Sequence, residues 1–560
     1  MSSIFHAISV ISKAISRNRR PCYNNFMSQT AICRITKKPF EISDKEADFC
    51  KKLGVPLPTI APEERMRALM ATRNEWKLYR RKCDSTGQEI ISAYPPDSPF
   101  KVYNNTTWWG DTWDALSFGR DFDFNRSFFE QFAELQKVVP REGTSIFNSE
   151  NCDYNLHIRQ SKNCFLNSLV ANCEDTHYSY WIVNDKDVMD CGYTNDSTLC
   201  YDCSDINNCY NCAAIYEAND CNDCFFSFQM RGCHNCIFCS NLVNKEFHIL
   251  NKPVSKEEFE AAKAKIFDGT IASWRRAYDE FLKLRGEAIQ QGVHTLKCEK
   301  CTGDHIYNCK NCTNCFDSFE SEDCFNGISL SDSKDVFNAY SAGWQRCEVV
   351  YNCCVSRTST NIAFCTYTWF STNLRYCDSC VSCHDCFGCI GLRHKRYCIL
   401  NKQYSKESFD KLRMTIMEYM KKAGEWGEFF PPQLSPYAYN ETGATDFFPL
   451  SKEEAIAHGW RWREPDQKEY LPATKEIMAC EQCGKNYKII PQEAKFYVRM
   501  NLPTPKKCPS CRHAARMAMR NAPHLFERAC SKCGEKFEST FSPKSDGKIY
   551  CEKCYRTEVY

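Results

Sequence analysis

The sequence predicts a mainly β protein with helical insertions: a duplicated cysteine-ladder β-solenoid with a 12-residue repeat, joined to small zinc-ribbon modules. Three observations lead to this prediction. Cysteine recurs every twelve residues from Asn148 onward, the segment that begins at Cys233 is repeated at Cys383, and four Cys-x-x-Cys pairs lie near the C-terminus. Together they describe stacked repeats followed by metal-binding knuckles.

The ladder becomes visible when the chain is written in rows of twelve from Asn148. Columns two, five, eight and eleven hold small or apolar residues, so we expect them to point inward, where cysteine packs closely as a small apolar side chain. Asn or Asp fills column one and often column four, where the side chains can bond to turn backbone and stack as ladders. A row is either a whole coil or half of a coil, and both remain open. Column five contains Cys152, Cys164, Cys200, Cys212, Cys224 and Cys236.

The ladder occurs twice. The first copy is predicted over residues 148–254 and the second over 297–404, because 233–259 aligns without a gap to 383–409. A helical insertion at 255–296 opens with Ser255 and Glu258, the pattern of a capping box. Residues 405–475 are predicted to form a helix and a linker.

The N-terminal part divides into two segments. Residues 1–30 form an N-terminal extension or targeting segment: no acid precedes Glu41, and isoleucines share one helical face. This composition is typical of a mitochondrial presequence over 1–26, and a disordered extension is the alternative. Residues 31–147 are predicted to contain a degenerate ribbon and helices. One helix is expected over Pro62–Lys82, and another over Arg126–Val138 as the cap of the first ladder.

The clearest chemistry lies in residues 476–560, where four Cys-x-x-Cys knuckles can supply two sets of four thiolates. Four thiolates form the closed tetrahedral site that structural Zn²⁺ takes, so the cofactor prediction is two structural Zn²⁺ ions. Sequential pairing of the knuckles is expected, while pairing of the first knuckle with the third remains open. The predicted metal ligands are Cys480, Cys483, Cys508, Cys511, Cys530, Cys533, Cys551 and Cys554.

A decayed knuckle pattern lies near the N-terminus. Cys33 and Thr36 match Cys530 and Cys533, and Cys83 with its own downstream threonine is interpreted as the second knuckle of the same ribbon. Threonine supplies no thiolate, so we predict a metal-free ribbon there.

A basic stripe follows the second C-terminal knuckle. Arg512, Arg516 and Arg520 recur at four-residue spacing and would share one face of a helix, beside Lys506 and Lys507. Such a stripe is typical of a phosphate contact, so these five residues are predicted to bind nucleic acid, RNA or DNA. A solvated face or a protein dock is the alternative.

Composition excludes several classes. A net charge of +2 provides no global field toward nucleic acid, and the absence of a long apolar run predicts no membrane partner. Zinc thiolates persist in reducing surroundings, which predicts an intracellular location. No catalytic residue is predicted, and the ladder cysteines are interpreted as structural. A polysaccharide-acting solenoid enzyme would need clustered acids, whereas the candidates are scattered: Asp202, Asp205, Asp220 and Asp223.

The chain resembles a family of cysteine-rich proteins encoded by uncultured bacteria, with Ser-Lys-Asn-Cys ladder rows, the segment at Cys386–Lys402 and the knuckles from Cys508 onward. The resemblance covers nearly all of residues 28–560 and implies architecture and zinc, but no activity. The predicted function is a non-enzymatic zinc scaffold that binds nucleic acid or a nucleoprotein assembly. A purely structural or protein-interaction scaffold is the alternative.

Overall fold

The computed structural model describes residues 29–343, 346–464 and 477–560, together with Tyr470, Pro472 and Thr474. The targeting segment predicted over residues 1–26 lies outside the described residues. The protein is mainly β, and most of its strands belong to long parallel sheets. In the part of the chain that is described, no helix is both long and apolar enough to cross a bilayer.

The N-terminal module (residues 29–109) consists of short hairpins and helices, and a connecting region leads from it to the first ladder. Its elements are β1 (Gln29–Ile32), β2 (Pro39–Ile42), α1 (Asp44–Leu53), α2 (Pro62–Met70), β3 (Tyr79–Lys82), β4 (Glu89–Ser92), β5 (Val102–Tyr103) and α3 (Asn105–Trp109), and the connecting region contains a 3-10 turn (Ala115–Phe118), α4 (Phe128–Val138) and β6 (Arg141–Glu142). The helix predicted over Pro62–Lys82 is wrong in its second half, because α2 ends at Met70 and residues 79–82 pair as a strand with β4.

Ladder 1 spans residues 146–253 and forms one 15-stranded sheet. Its strands are β7 (Ile146–Phe147), β8 (Leu156–Arg159), β9 (Ser168–Ala171), β10 (Glu174–His177), β11 (Tyr180–Val183), β12 (Lys186–Met189), β13 (Gly192–Asn195), β14 (Thr198–Tyr201), β15 (Ser204–Asn207), β16 (Tyr210–Asn219), β17 (Asn222–Arg231), β18 (His234–Ile237), β19 (Ser240–Val243), β20 (Glu246–Ile249) and β21 (Lys252–Pro253).

The strands of ladder 1 pair in parallel at a register of twelve residues. Ser168 lies opposite Tyr180, and Tyr180 lies opposite Gly192. A second series has the same spacing, with Lys186 opposite Thr198. Each row of twelve residues therefore contributes one strand to each of two series, and the 12-residue period found in the sequence is the hydrogen-bonding register of the sheet.

Backbone conformation explains the Asn and Asp columns. From Gln160 to Asp190 every third residue is left-handed, with φ between 47° and 60°. Asn and Asp tolerate this conformation better than other residues that carry a side chain. Their side chains also bond to the row above: Asn151 Nδ2 donates to Asn163 Oδ1 at 3.0 Å, and Asn163 Nδ2 donates to Asp175 Oδ1 at 3.0 Å. The predicted ladders of amide side chains are confirmed.

The remaining columns form the core. Cys200, Cys212 and Cys224 are fully buried in one apolar cluster that runs along the ladder. Their thiols donate to the carbonyl oxygen two residues earlier, at 3.3–3.5 Å. Cysteine therefore suits these positions both as a small apolar group and as a weak donor to a backbone carbonyl.

Two helices follow ladder 1, α5 (Lys256–Ile266) and α6 (Ile271–Glu287), and β22 (Ile289–Gln291) completes the insertion. The predicted capping box is confirmed: Ser255 accepts from the amide of Glu258 at 3.1 Å, and the Glu258 carboxylate accepts from the amide of Ser255 at 2.7 Å.

Ladder 2 spans residues 295–403, with a two-residue insertion where Ser333 lies opposite Cys347. Its strands are β23 (Thr295–Leu296), β24 (Gly303–Tyr307), β25 (Cys315–Phe319), β26 (Glu322–Phe325), β27 (Ser333–Phe337), β28 (Cys347–Cys354), β29 (Thr360–Thr366), β30 (Thr372–Arg375), β31 (His384–Phe387), β32 (Arg396–Ile399) and β33 (Lys402–Gln403).

Helix α4 does not cap ladder 1, and that prediction is wrong. The ring of Phe128 lies 5.1 Å from Tyr376 and 5.5 Å from Phe387, so α4 packs on the side of ladder 2. Helix α6 packs on ladder 1 in the same way, with Phe281 stacked 5.5 Å from Tyr216. An amphipathic helix needs an apolar partner, and a ladder flank provides one as well as a ladder end does.

The chain after ladder 2 is packed along much of its length. Tyr439 is fully buried and Trp460 is buried, although the sequence suggested a linker there. The elements are α7 (Lys406–Lys422), two 3-10 turns (Pro432–Leu434 and Tyr439–Glu441), α8 (Ala444–Phe447) and α9 (Lys452–Ala457), followed by the C-terminal module (residues 478–559) with β34 (Met478–Ala479), β35 (Asn486–Tyr487), α10 (Pro491–Arg499), α11 (Pro509–Met517), β36 (Phe526–Ala529), β37 (Lys536–Ser539), β38 (Lys548–Tyr550) and α12 (Glu552–Val559).

Candidate metal centres

The first cysteine quartet joins a turn to a helix start. Cys480 and Cys483 lie in the turn between β34 and β35, and Cys508 and Cys511 lie at the start of α11. The four sulfur atoms lie within 4.8 Å of one another, and the Sγ atoms of Cys483 and Cys508 are 3.7 Å apart. Tetrahedral thiolates at a metal–sulfur distance of 2.3 Å would lie about 3.8 Å apart. The quartet can therefore hold one metal ion.

The second quartet repeats this plan. Cys530 and Cys533 lie in the turn between β36 and β37, and Cys551 and Cys554 lie at the start of α12. All four sulfur atoms again lie within 4.8 Å of one another, with Cys533 Sγ 3.8 Å from Cys551 Sγ. The predicted sequential pairing of knuckles is confirmed, and the interleaved alternative is wrong.

Backbone geometry at each turn directs amides at sulfur. Gly484 and Gly534 have φ of 72° and 74°, the left-handed conformation that a knuckle needs after its second cysteine. The amide of Cys508 donates to Cys480 Sγ at 3.2 Å, and the amide of Cys551 donates to Cys530 Sγ at 3.3 Å.

These amides prepare one thiol of each quartet to lose its proton. Burial raises the pKa of Cys480, but hydrogen bonds from backbone amides, that of Cys508 first, outweigh burial and lower the pKa to about 6. The pKa of Cys530 falls to about 6 for the same reason, with the Cys533 amide contributing most among the hydrogen bonds. A thiolate is the form that binds a metal ion.

The N-terminal module contains the remnants of two ribbons, one at Cys33 and one at Cys83. This corrects the sequence interpretation, which placed both cysteines in a single ribbon. Cys33 accepts a hydrogen bond from the amide of Ala61 at 3.4 Å, and Cys83 accepts one from the amide of Asn104 at 3.3 Å. Ala61 therefore stands where Cys508 stands in the first quartet, and Asn104 where Cys551 stands in the second.

A constant displacement relates the two modules. Cys33 and Cys480 are 447 positions apart, as are Cys83 and Cys530. Helix α2 (Pro62–Met70) matches α11 (Pro509–Met517) at the same displacement, residue for residue in its bounds. The fold of both ribbons is retained in the N-terminal module, where each pair keeps a single thiol.

The three predicted phosphate-binding arginines face the protein interior. Arg512 and Arg516 pair with Asp190 at 2.8 and 3.2 Å, and Arg516 also lies 3.4 Å from Asp202. The arginine side chains are at most 8% exposed. The guanidinium groups are therefore paired with carboxylates, and the prediction that these arginines present an exposed phosphate contact is wrong. The stripe instead joins the C-terminal module to the ladders of the same chain.

Arg520 links both ladders. Its guanidinium lies 2.9 Å from Asp205 of ladder 1 and 2.6 Å from Asp317 of ladder 2. The other two members of the predicted site remain at the surface, since Lys507 is exposed and Lys506 is half-buried.

Within the described ranges, the ladder cysteines lie outside the candidate metal clusters. Among the described residues, four groups of His, Cys, Asp or Glu side chains converge closely enough to hold a metal ion, and none includes a ladder cysteine. All cysteines in the described part of the chain carry free thiols.

Sequence reasoning missed a pocket lined by charged side chains at the junction of both ladders and the C-terminal module. Two of the four groups lie there, one formed by His294, Asp304 and His305 and the other by Asp205, His305 and Asp317. Their residues come from β15, β24, β25 and the position just before β23. The available signal was therefore limited to His294 and His305, which stand eleven positions apart, close to one ladder row.

No family model matches the chain, and no curated protein matches it. The sites are therefore interpreted from their own chemistry.

Proposed function

We propose that the protein is a non-enzymatic zinc-binding scaffold in which the C-terminal ribbons clamp two solenoids together. The observation that carries this proposal is the position of α11. The helix begins with two ligands of the first quartet and continues into Arg516 and the segment with Arg520, which pair with acids of both ladders. Binding of a metal ion at the start of α11 fixes the position of the arginines that follow.

Zinc is the ion that fits the quartets best. Each offers four thiols and no fifth polar ligand, at the sulfur separations of a tetrahedral site. Zn²⁺ prefers closed tetrahedral thiolate sites of this type when its role is structural. Zinc binding also requires cysteines that are not oxidised to disulfides, so the proposal includes a reducing, intracellular location for the protein.

Each ladder is proposed to be a closed β-solenoid with one coil per twelve residues. Two series of parallel strands at a register of twelve support this, because a row that formed half a coil would pair at twice that spacing. Inward residues at every third position, such as Cys200 and Cys203, also favour a closed coil. A scaffold of this type offers long, regular flanks to its neighbours.

The clamp is tested by removing the metal and following hydrogen exchange in the full-length protein. Chelation should deprotect α11 and the ladder 1 turns that contain Asp190 and Asp202, directly after β12 and β14, because the arginine helix loses its anchor. Helix α2, which begins beside a pair without a full thiol set, is the internal control and should stay protected. If α11 keeps its protection after elemental analysis shows the metal to be gone, the clamp proposal fails.

Nucleic-acid binding is a second candidate function, and the residues proposed for it are now the two lysines beside the first quartet. Lys507 is exposed next to Cys508, and Lys506 precedes it. The full-length protein and a Lys506→Ala/Lys507→Ala variant should be titrated with single-stranded RNA and duplex DNA at two salt concentrations. Affinity that falls with salt and with the substitutions supports this function, since phosphate contacts weaken as salt rises. No affinity at low salt removes it and leaves the structural scaffold.

A further inference from the structure

The pocket described above lies where ladder 1, ladder 2 and the C-terminal module meet. Its cavity has a volume of about 30 Å³, enough for an ion with a bound water. His294 and His305 stack inside it, with ring centroids 4.5 Å apart. We name it the polar pocket; its charged lining residues are Asp205, Glu217, Arg285, His294, Asp304, His305, Asp317 and Arg520.

We propose that the polar pocket binds one divalent transition-metal ion through His294, Asp304 and His305. One ligand atom from each of these residues lies within 4.8 Å of the others. Two imidazoles and one carboxylate are a donor set that suits zinc, iron(II) and their neighbours, in contrast to the all-thiolate quartets. This site is separate from the two cysteine quartets and does not depend on their proposed role.

Both ring nitrogens of His294 face carboxylates. Its Nε2 lies 2.8 Å from Glu217 Oε2, and its Nδ1 lies 2.9 Å from Asp304 Oδ1. A neutral imidazole carries one N–H, so it can satisfy one of these two carboxylates and not both. Either a second proton or a metal ion must occupy the other contact. Because the ring stacks on His305, a metal ion bound by both imidazoles supplies the positive charge without a protonated ring in the stack.

The balance of charge in the pocket also favours a divalent cation. Four carboxylates line it against two guanidinium groups. Arg520 is held by Asp205 and Asp317, and Arg285 donates to the carbonyl oxygen of Met519 and not to a carboxylate of the pocket. Two carboxylates, those of Glu217 and Asp304, are left without a guanidinium partner. Buried carboxylates need compensating charge, and an ion of charge +2 supplies it.

The duplicated half of the molecule shows that packing alone does not require this charge. Strand registers place Leu156, His157 and Leu169 where Asp304, His305 and Asp317 stand. In the same way, Val355 and Tyr367 stand where ladder 1 carries Asp205 and Glu217.

One histidine is thus shared by the two halves, while all four carboxylates of the pocket are replaced by Leu, Val or Tyr in the other half. Leu156, at the position of Asp304, is 2% exposed. The equivalent junction is therefore buried without that carboxylate. The carboxylates are consequently specific to one half of a duplicated architecture, as expected of a ligand site and not of a packing requirement.

Metal content of the full-length protein tests the proposal. We expect three divalent ions per chain, two in the quartets and one in the pocket, and we expect His305→Ala to reduce the count to two. Asp304→Asn, which preserves shape, should do the same if the alanine variant folds poorly. The matched control is His157→Ala, at the equivalent position of the other half, and it should retain all three ions.

Cobalt(II) separates the two kinds of site in the same sample. With zinc kept in the quartets, cobalt in the pocket should give weak visible bands without thiolate-to-cobalt charge transfer, and His305→Ala should abolish them. Two ions in the unaltered protein with no cobalt spectrum would overturn the pocket site. A third ion that persists in both His305→Ala and Asp304→Asn would overturn the ligand assignment. A Cys508→Ser variant loses a quartet ion while keeping the cobalt bands, so failure at the quartets is distinguishable from failure at the pocket.

Discussion

The N-terminal and C-terminal modules are the same fold with and without complete metal sites. Hairpin β3–β4 corresponds to β36–β37 at the displacement of 447 residues, and the loop after α1 corresponds to the loop after α10. Even the left-handed position is kept, at Gly54 in one module and Asn501 in the other. In the N-terminal module the second, third and fourth ligand positions of each quartet are occupied by residues other than cysteine.

The comparison shows how a ribbon persists after its ligands are lost. In the N-terminal module, Arg65 pairs with Glu46 at 2.5 Å and donates to Asn338 of ladder 2 at 2.9 Å. The equivalent Arg512 lies near Glu493 and pairs with Asp190 of ladder 1. Arg65 and Arg512 thus contact opposite ladders from equivalent positions of α2 and α11, and such contacts fix the N-terminal module on the ladders without a complete set of metal ligands.

The largest effect should come from removing a thiol of a complete quartet. Cys508→Ser is expected to lose one metal ion and to lower the free energy of unfolding by more than about 4 kcal/mol, because metal binding contributes directly to folding. Cys33→Ser, at a pair with a single thiol, should change it by less than about 1 kcal/mol. Thermal unfolding with elemental analysis measures both. Equal losses in the two variants would show that metal does not distinguish the modules.

The next largest effect on stability should come from replacing the residues by which α11 contacts ladder 1 with those by which α2 contacts ladder 2. Leu69 occupies the position of Arg516, and Asn338 and Asn352 occupy those of Asp190 and Asp202. Arg516→Leu alone removes the guanidinium partner of Asp202 and leaves Asp190 paired with Arg512 only, so it should cost about 3–5 kcal/mol in unfolding free energy. Adding Asp190→Asn and Asp202→Asn should restore part of it. Denaturant unfolding of the single and triple variants measures these changes. A triple variant less stable than Arg516→Leu would contradict the expected recovery of stability.

Lowering the pH should destabilise the half of the molecule that contains the buried His157 of ladder 1. Burial lowers the pKa of this imidazole to about 3, with the positive charge of Arg73 adding to the effect. The His157 imidazole is protonated below about pH 6.5 in the unfolded chain but stays neutral in the folded chain. Its contribution to the free energy of unfolding is therefore complete above pH 6.5 and is lost as the pH falls from there toward 3. His157→Gln should reduce the loss of stability between pH 7 and pH 5. An unchanged pH profile of the melting temperature would contradict this.

The smallest effect concerns the knuckle turn itself. Lys37 has φ of 59° where the complete knuckle has Gly484. Lys37→Gly should stabilise the N-terminal module by about 0.5–1 kcal/mol, because glycine adopts this conformation without steric cost. Gly484→Lys should destabilise the C-terminal module by a similar amount. Paired thermal melts test this, and a stabilising Gly484→Lys would be inconsistent with it.

Regular repetition made much of the fold predictable from the sequence. The twelve-residue period became the strand register, the inward columns became the core, and the offset between Cys233 and Cys383 marked the duplication, because each follows from local spacing along one chain. The quartets were predictable for the same reason: each knuckle is a local turn, and the cysteines are its signature.

Contacts between distant parts of the chain were decided by the tertiary structure. The sequence predicted arginines on one helix face but not that the face meets Asp190 and Asp202, more than three hundred residues earlier. It also contained His294, Asp304 and Glu217 without any spacing that joins them, since they converge only when two ladders meet. Local hydrogen bonding fixes a register within a few residues, whereas burial of charge depends on which surfaces meet, and that is determined by packing of the whole chain.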